Sequence, residues 1–188
     1  MLIIGILGDI GSGKSFVAKN FGYPVFNADS EVSNIYKKDI KVFKELKKKL
    51  PNHIVSFPIN KKEILSAILF NKINLSKIVK IVHKEVKKKM ISFLKKNRFK
   101  KIVILDIPLL LENRIDRRVD ILVYVDAKKS EILKRLKSRK NYNKSLLKRF
   151  YKIQMPLKYK KKKAHFIIKN KFTKKSIKFG IKNILSKI

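Results

Sequence analysis

The chain of 188 residues has no cysteine and no tryptophan, and only 13 acidic residues accompany 49 lysines and arginines. The absence of cysteine excludes a disulfide framework, a thiol nucleophile and a cysteine-based zinc site. No apolar run approaches the roughly 18 residues that a membrane-spanning helix needs. The apolar start at 1–7 lacks the positively charged region and the small-residue cleavage site of a signal peptide. We therefore expect a single cytoplasmic domain, spanning 1–188, with no membrane partner.

Arginine is scarce although the formal net charge is +36. The chain has 42 lysines and 7 arginines, together with 27 isoleucines and 13 asparagines. Recognition of phosphates and bases favours the planar fork of arginine. The joint surplus of lysine, isoleucine and asparagine indicates a compositional bias spread over the whole surface. We expect no specific nucleic-acid partner, and a non-catalytic basic nucleic-acid-binding protein remains the alternative.

Short apolar runs alternate with longer lysine-rich amphipathic runs. The apolar runs predict five strands, and runs that are apolar throughout are typical of parallel sheets, which are buried on both faces. The expected fold class is therefore α/β, with a five-stranded parallel sheet and a helical insertion between strands two and three. Strands are predicted at 2–7, 24–27, 102–105, 121–125 and 165–169, and helices from about 14, at 31–50, 61–70, 75–94, 131–136 and 145–153, and after about 176.

The most specific motif is GDIGSGKS at 8–15, which has the G-x-x-x-x-G-K-[ST] form of a phosphate-binding loop. It lies between a predicted strand and a predicted helix. Glycines let successive backbone N–H groups face one anion, and the helix N-terminus adds partial positive charge. Lys14 is expected to contact the β- and γ-phosphates of a nucleoside triphosphate, and Ser15 to bind Mg²⁺. The candidate nucleotide-binding residues in this loop are Gly8, Ile10, Gly11, Ser12, Gly13, Lys14, Ser15 and Phe16.

Charged residues beyond this loop suggest which kind of nucleotide-binding protein this is. Asp29 follows the second strand, where open α/β sheets bind substrates, so its carboxylate can accept a proton from an attacking hydroxyl; a helix N-cap is the alternative. Asp106 ends the third strand and is a candidate Mg²⁺ ligand, with a plain surface aspartate as the alternative. Arg135 and Arg139 are four positions apart on one predicted helix and suit a lid over the phosphates; the alternative is a solvated basic face. No N-K-x-D motif occurs in a place that suits a GTPase.

Taken together, these motifs resemble the dephospho-CoA kinase family, and the resemblance covers nearly the whole chain. Its most specific part is IPLLLEN following a phosphate-binding loop. The matching segments are GDIGSGKS at 8–15, VFNAD at 25–29, NKKEILSAILF at 60–70, IVHKEV around His83, IPLLLEN at 107–113, RLKSR at 135–139, and Gln154 with Ala164 and Asn170.

The resemblance implies ATP-dependent phosphorylation of the ribose 3′-hydroxyl of dephospho-CoA, the last step of coenzyme A biosynthesis, with Mg²⁺. It implies a P-loop NTPase three-layer fold with a five-stranded parallel core, a helical acceptor-binding insertion at 53–97 and a small lid at 137–155. The implied catalytic residues are Lys14, Asp29 as general base and Arg139 at the ATP phosphates. Arg135 is implied to bind ATP, and the acceptor contacts are Asp29, His83, Pro108, Leu109 and Glu112. Another P-loop kinase of nucleosides or nucleotides is the alternative enzyme.

Several positions depart from the family pattern. Phe16 replaces a threonine, Asn27 the first aspartate of D-A-D, Lys84 a proline, and His165 an aspartate. None of these changes removes an indispensable group. The lysine run at 160–163, which begins where the family often has arginine, is interpreted as a solvated run, with phosphate binding near the lid as the alternative.

Overall fold

In the computed structural model, which describes residues 1–140 and 142–188, five parallel strands form one sheet. They are β1 (Leu2–Gly8), β2 (Val25–Asn27), β3 (Ile102–Asp106), β4 (Ile121–Ala127) and β5 (Phe166–Asn170). Their order in the sheet is β2-β3-β1-β4-β5, so β1 is central. The predicted five-stranded parallel sheet is confirmed, with strand ends that differ from the prediction by at most two residues.

Nine α-helices lie among the described residues, and a short 3-10 turn spans Ile115–Arg118. None of them is long and apolar enough to cross a membrane. The helices are α1 (Lys14–Asn20), α2 (Ala28–Lys38), α3 (Ile40–Lys49), α4 (Lys61–Phe70), α5 (Lys72–Lys96), α6 (Lys129–Lys137), α7 (Lys144–Ile153), α8 (Leu157–Lys163) and α9 (Lys174–Leu185).

One helix prediction, at 31–50, is wrong, and one helix, α8, was not predicted. The single helix predicted at 31–50 is two helices, because the Asp39 carboxylate accepts hydrogen bonds from the backbone N–H groups of Lys41 and Val42, both at 3.0 Å, and so begins α3. Apolar residues keep helical spacing across this break, so hydrophobic periodicity alone predicts one continuous helix. The helix α8 was not predicted, because its lysine-rich sequence shows almost no apolar stripe.

The chain divides into two compact units, each formed by separate segments. The sheet unit comprises Met1–Asn27, Asn97–Tyr142 and Gln154–Ile188, and the helical unit comprises Ala28–Lys96 and Asn143–Ile153. In the sheet unit, α1 and α9 pack against each other and against the sheet. Their apolar side chains and those of the central strands form a core in which Ile4, Ile104 and Val123 are completely buried. Burial on both faces explains why β1 is apolar throughout and why β3 is apolar up to its last residue, Asp106.

In the helical unit, α2, α3 and α4 pack against the long helix α5. Arg149 of α7 donates hydrogen bonds to the carbonyl oxygens of Ile68 (2.5 Å) and Leu69 (3.0 Å), close to the C-terminus of α4. Carbonyls in the last turn of a helix have no partner within the helix, so the guanidinium satisfies groups that would otherwise depend on water. This contact holds α7 to α4.

Tyr36, buried in the helical unit, gives the chain a predictable response to alkali. Burial raises the pKa of Tyr36 to about 12. The folded state then keeps a proton that the unfolded state releases near pH 10, so stability falls as pH rises between these values, by about 3 kcal/mol in total. Tyr36→Phe lacks this loss. Urea unfolding of both proteins across the alkaline range should show their free energies of unfolding diverging above about pH 10; parallel curves would contradict the expectation.

Candidate nucleotide-binding and phosphoryl-transfer site

The phosphate-binding loop connects the end of β1 to the start of α1, as predicted. Lys14 opens α1, and its buried ammonium group donates to the carbonyl oxygens of Gly8 (3.2 Å) and Asp9 (2.8 Å). The amine therefore lies across the loop. A cation, a helix N-terminus and a glycine-rich backbone are combined at one point, which is an arrangement that binds phosphate.

Gly13 is required at its position for two reasons. Its φ of +91° lies in the left-handed region that favours glycine. A Cβ atom added there would also lie 2.5 Å from Nδ2 of Asn170. That amide nitrogen donates to the carbonyl oxygen of Ser12 at 2.8 Å. Asn170, at the end of β5, thus holds the phosphate-binding loop in place through this hydrogen bond.

Other groups in the loop have local partners or none. The backbone N–H of Ile10 donates to the Asp9 carboxylate at 2.6 Å. The hydroxyl of Ser12 is buried and, within the described part of the chain, has no hydrogen-bond partner.

Burial raises the pKa of the Tyr124 phenol, and the carboxylates of Asp126 and Asp9 raise it further. This tyrosine therefore stays neutral at physiological pH.

A pocket of about 520 Å³ lies beside the loop, and one of the residues that line it is Asn170, which donates to the loop residue Ser12. The guanidinium carbon of Arg135, on α6, lies 4.5 Å from the centre of the Phe172 ring. Stacked arginine–aromatic pairs offer a flat surface to a planar ligand. The pocket is lined by Asp126, Ala127, Lys128, Glu131, Lys169, Asn170, Lys171 and Phe172.

Arg139 does not share a helix with Arg135. The helix α6 ends at Lys137, and Ser138, whose hydroxyl donates to the carbonyl of Arg135 at 3.0 Å, caps it. Serine residues whose hydroxyl groups donate to nearby backbone carbonyls are favoured at helix ends over helix interiors. Arg139 lies beyond this cap and is exposed. The prediction that both arginines lie on one helix is therefore wrong.

Asp106, at the end of β3, is almost completely buried, so the alternative of a plain surface aspartate is wrong. It pairs in register with Asn27 of the neighbouring strand β2, whose amide Nδ2 lies 2.5 Å from the Asp106 carboxylate. An aspartate at 27 would place two like charges together, whereas asparagine donates a hydrogen bond. This departure from the family pattern thus keeps Asp106 paired.

Asp29 and His83 belong to the helical unit. Asp29 is the second residue of α2 and is exposed, so it does not occupy the N-cap position that was its structural alternative. A carboxylate in the first helical turn interacts favourably with the helix dipole. His83 is half-buried in the middle of α5.

The segment after β3 contains Pro108 and Leu109, both half-buried, and ends near Glu112. Oε1 of Glu112 lies 2.7 Å from the ammonium of Lys160 and accepts the backbone N–H of Met155 at 2.8 Å. Only 1% of the Lys160 side chain is exposed. The prediction that this lysine belongs to a solvated run is therefore wrong. Sequence reasoning missed this pair because the partners are distant in sequence.

His165 has a structural role that the sequence did not indicate. Its Nδ1 accepts a hydrogen bond from the backbone N–H of Leu122 at 3.0 Å, and the backbone N–H of His165 donates to the carbonyl of Leu122 at 2.9 Å. Both contacts join the starts of β4 and β5. Asn170 and Phe172 were also missed as parts of the site. An asparagine at the carboxyl end of a predicted strand was the available signal.

A parallel sheet with its glycine-rich loop, buried lysine and helix N-terminus at the carboxyl end of the central strand defines a P-loop protein that binds a nucleoside triphosphate. The family model for dephospho-CoA kinase matches residues 2–175. A dephospho-CoA kinase of Wolbachia sp. subsp. Brugia malayi (strain TRS) is 31% identical over 192 residues, covering 100% of this chain and 98% of the relative. The chain belongs to the dephospho-CoA kinase family.

Two solved structures have a similar fold. TT1252 from Thermus thermophilus has a TM-score of 0.80 at 26% identity, covering 100% of this chain and 97% of that one. The dephospho-CoA kinase from Campylobacter jejuni has a TM-score of 0.66 at 20% identity, covering 98% and 96%. At that identity the second structure supports the fold alone.

Proposed function

We propose that this chain transfers the γ-phosphoryl group of ATP to the ribose 3′-hydroxyl of dephospho-CoA, giving coenzyme A. Membership of the dephospho-CoA kinase family over nearly the full length is the observation that carries this proposal. The buried Lys14 across a glycine-rich loop is the structural feature that supports it. The cytoplasmic location and the lack of a specific nucleic-acid partner stay predictions.

The loop residues supply most of the ATP contacts in this proposal. The backbone N–H groups at Gly8, Gly11 and Gly13 surround the phosphates, and Lys14 neutralises charge on the β- and γ-phosphates. The side chains of Ser15 and Asp106 form an oxygen donor set, which fits Mg²⁺, an ion usually bound by few protein ligands together with phosphates. When bound, Mg²⁺ would neutralise phosphate charge and leave the protein groups to orient the reactants.

The pocket beside the loop is the proposed site of the adenine base. It lies next to the phosphate-binding loop, since Asn170 both lines the pocket and donates a hydrogen bond to Ser12 of the loop. Phe172 also lines the pocket, and its ring together with the guanidinium of Arg135 offers a flat cationic and aromatic surface on which a base can stack. The exposed Arg139 is proposed to approach the phosphates and stabilise charge in the transition state.

Asp29 is the proposed general base, and its exposed position at the start of α2 leaves the carboxylate accessible to a hydroxyl group. We assign acceptor binding to the insertion at 53–97, which includes His83, and to Pro108, Leu109 and Glu112. Lid movement is assigned to 137–155. Since α7 is held to α4 by Arg149, this lid helix and the insertion helix are expected to move together.

The direct test is incubation of the purified protein with ATP, Mg²⁺ and dephospho-CoA, with coenzyme A detected by mass spectrometry. A matched panel of nucleosides and nucleotides tests the alternative kinases. We expect ADP release to depend on dephospho-CoA. If ADP release depended on a different acceptor and not on dephospho-CoA, the proposed substrate would be wrong. If no acceptor gave a phosphorylated product, the proposed kinase activity would be refuted.

Lys14→Met is expected to lower kcat/KM by about 10²-fold or more, by analogy with the loss of a preorganised donor to transition-state charge. Lys19→Met is the matched control, because Lys19 lies exposed on the same helix. Steady-state kinetics of both variants check the expectation. Equal activities would contradict it. Salt-sensitive binding to duplex DNA that survives Lys14→Met, without kinase activity, would support the nucleic-acid-binding alternative.

Arg135→Ala is expected to raise the KM for ATP by about 2- to 30-fold, since a cation–π contact contributes about 0.5–2 kcal/mol. Arg139→Ala is the informative comparison, because the proposed role of Arg139 is in the transition state and its loss should lower kcat instead. Initial rates at varied ATP, with dephospho-CoA saturating, separate the two effects. A drop in kcat alone for Arg135→Ala would exclude the base-stacking role.

A further inference from the structure

Asn170 uses both ends of its side-chain amide within the nucleotide site. It is the last residue of β5 and is almost completely buried. Its Nδ2 donates to the carbonyl oxygen of Ser12 at 2.8 Å, and its Oδ1 accepts the backbone N–H of Phe172 at 2.7 Å. One side chain therefore connects the phosphate-binding loop with the wall of the neighbouring pocket.

The contact with Ser12 determines more than the direction of one carbonyl. A peptide unit is planar and trans, so its C=O and N–H point in opposite directions. Holding the carbonyl of Ser12 therefore also sets the direction of the Gly13 N–H in the same peptide. Because glycine has wide conformational freedom, the contact with Asn170 narrows the directions that this N–H can take. The missing Cβ of Gly13 leaves space for the amide.

The contact with Phe172 stabilises an unusual backbone conformation. Phe172 has a φ of +58°, in the left-handed region that non-glycine residues rarely adopt. An asparagine that accepts the N–H two residues later favours a turn of this kind. This conformation places the Phe172 ring beside the guanidinium of Arg135.

We infer that Asn170 is a positioning residue for the nucleotide: through Ser12 it directs the Gly13 N–H toward the phosphates, and through Phe172 it holds the stacking surface for the base. The phosphate and base subsites are thereby fixed relative to each other by one amide. This inference rests on the proposed ATP site and is independent of the acceptor.

N170D provides the test, because it keeps the shape and the acceptor for Phe172 but replaces the donor to Ser12 with an oxygen. N74D is the matched control. Asn74 is also buried, and its Nδ2 donates to the carbonyl of Ala67 at 3.0 Å within the helical unit. Both substitutions place a carboxyl group against a backbone carbonyl, so both are expected to lower Tm. N170D alone is expected to weaken binding of a non-hydrolysable ATP analogue, by about tenfold or more.

Acid pH adds a signature that a general loss of stability would not produce. When protonated, the carboxyl group introduced in N170D is neutral, and its O–H can donate to Ser12 in place of the amide. We therefore expect analogue affinity of N170D, relative to the wild type at each pH, to recover as the pH is lowered. The N74D affinity should follow the wild type throughout. Isothermal titration calorimetry measures all three proteins.

The outcomes separate this inference from the proposed reaction. Wild type that binds the analogue but does not phosphorylate dephospho-CoA refutes the reaction and leaves the inference testable. Wild type that does not bind the analogue overturns both. N170D and N74D that lose equal stability and keep wild-type affinity overturn the inference alone. If N170D does not fold, Asn170→Ser, which is smaller and neutral, is measured instead, and wild-type affinity in that variant overturns the inference equally.

Discussion

Asp29→Asn is expected to lower kcat by about 10²- to 10⁴-fold, the usual contribution of general acid–base catalysis. Asparagine keeps the size of the side chain at the start of α2 but cannot accept the proton of the attacking hydroxyl. The KM for ATP should stay unchanged, because the ATP-binding loop belongs to the sheet unit and is untouched. Steady-state kinetics with ATP and dephospho-CoA varied in turn provide the measurement.

Asp39→Asn is the matched control for Asp29→Asn. Asp39 lies in the same unit and its carboxylate caps α3. Asparagine caps helices about as well as aspartate does, so this variant should keep wild-type kinetics and stability. If Asp29→Asn retained wild-type kcat, Asp29 would have no role as general base. A rise in the KM for ATP with unchanged kcat would assign it to nucleotide binding instead.

Lys160→Met is expected to lower the free energy of unfolding by about 3–5 kcal/mol, the typical effect of removing one partner from a buried ion pair. Methionine fills similar space but leaves the Glu112 carboxylate buried without its counter-charge. The backbone N–H of Met155 would remain as a donor to the same oxygen. Urea unfolding at neutral pH measures the change.

Lys161→Met separates this effect from the general loss of a lysine. Lys161 pairs with Asp126 at 2.7 Å, but 46% of its side chain is exposed, so the expected loss is about 1 kcal/mol or less. The double variant Glu112→Gln with Lys160→Met should regain part of the stability lost in Lys160→Met, because no buried charge is then left unpaired. If Lys160→Met and Lys161→Met lost equal stability, the buried Lys160–Glu112 pair would contribute no more than the exposed Lys161–Asp126 pair does.

Features that depend on neighbouring residues could be predicted from the sequence. The phosphate-binding loop carries its chemistry within eight residues at 8–15, and strands such as β3 are identifiable because burial on both faces makes positions 102–105 apolar. Candidate residues after the strands could be named for the same reason. Asp106 directly follows this apolar run, and Asp29 is the second residue after β2.

Features that depend on distant partners could not be predicted. Asn170 contacts Ser12 across 158 positions, and nothing near Asn170 in the sequence indicates that contact. Lys160 looks like its exposed neighbours until Glu112 is placed beside it. The break at Asp39 is different in origin: the capping residue was visible, but continuous apolar spacing concealed it.

The central position of β1 has a consequence for folding during synthesis. Ile4 of β1 pairs with Ile104 of β3 on one side and with Ile121 of β4 on the other. Of the five strands, β1 is synthesised first, and it has no sheet neighbour until β3, which follows the helical segment, has been made. Its apolar residues stay exposed meanwhile, and chaperone binding is the usual protection for such segments. The helical segment Ala28–Lys96, by contrast, is continuous in sequence. Its helices depend on local contacts, so they can form before the sheet neighbours of β1 have been synthesised.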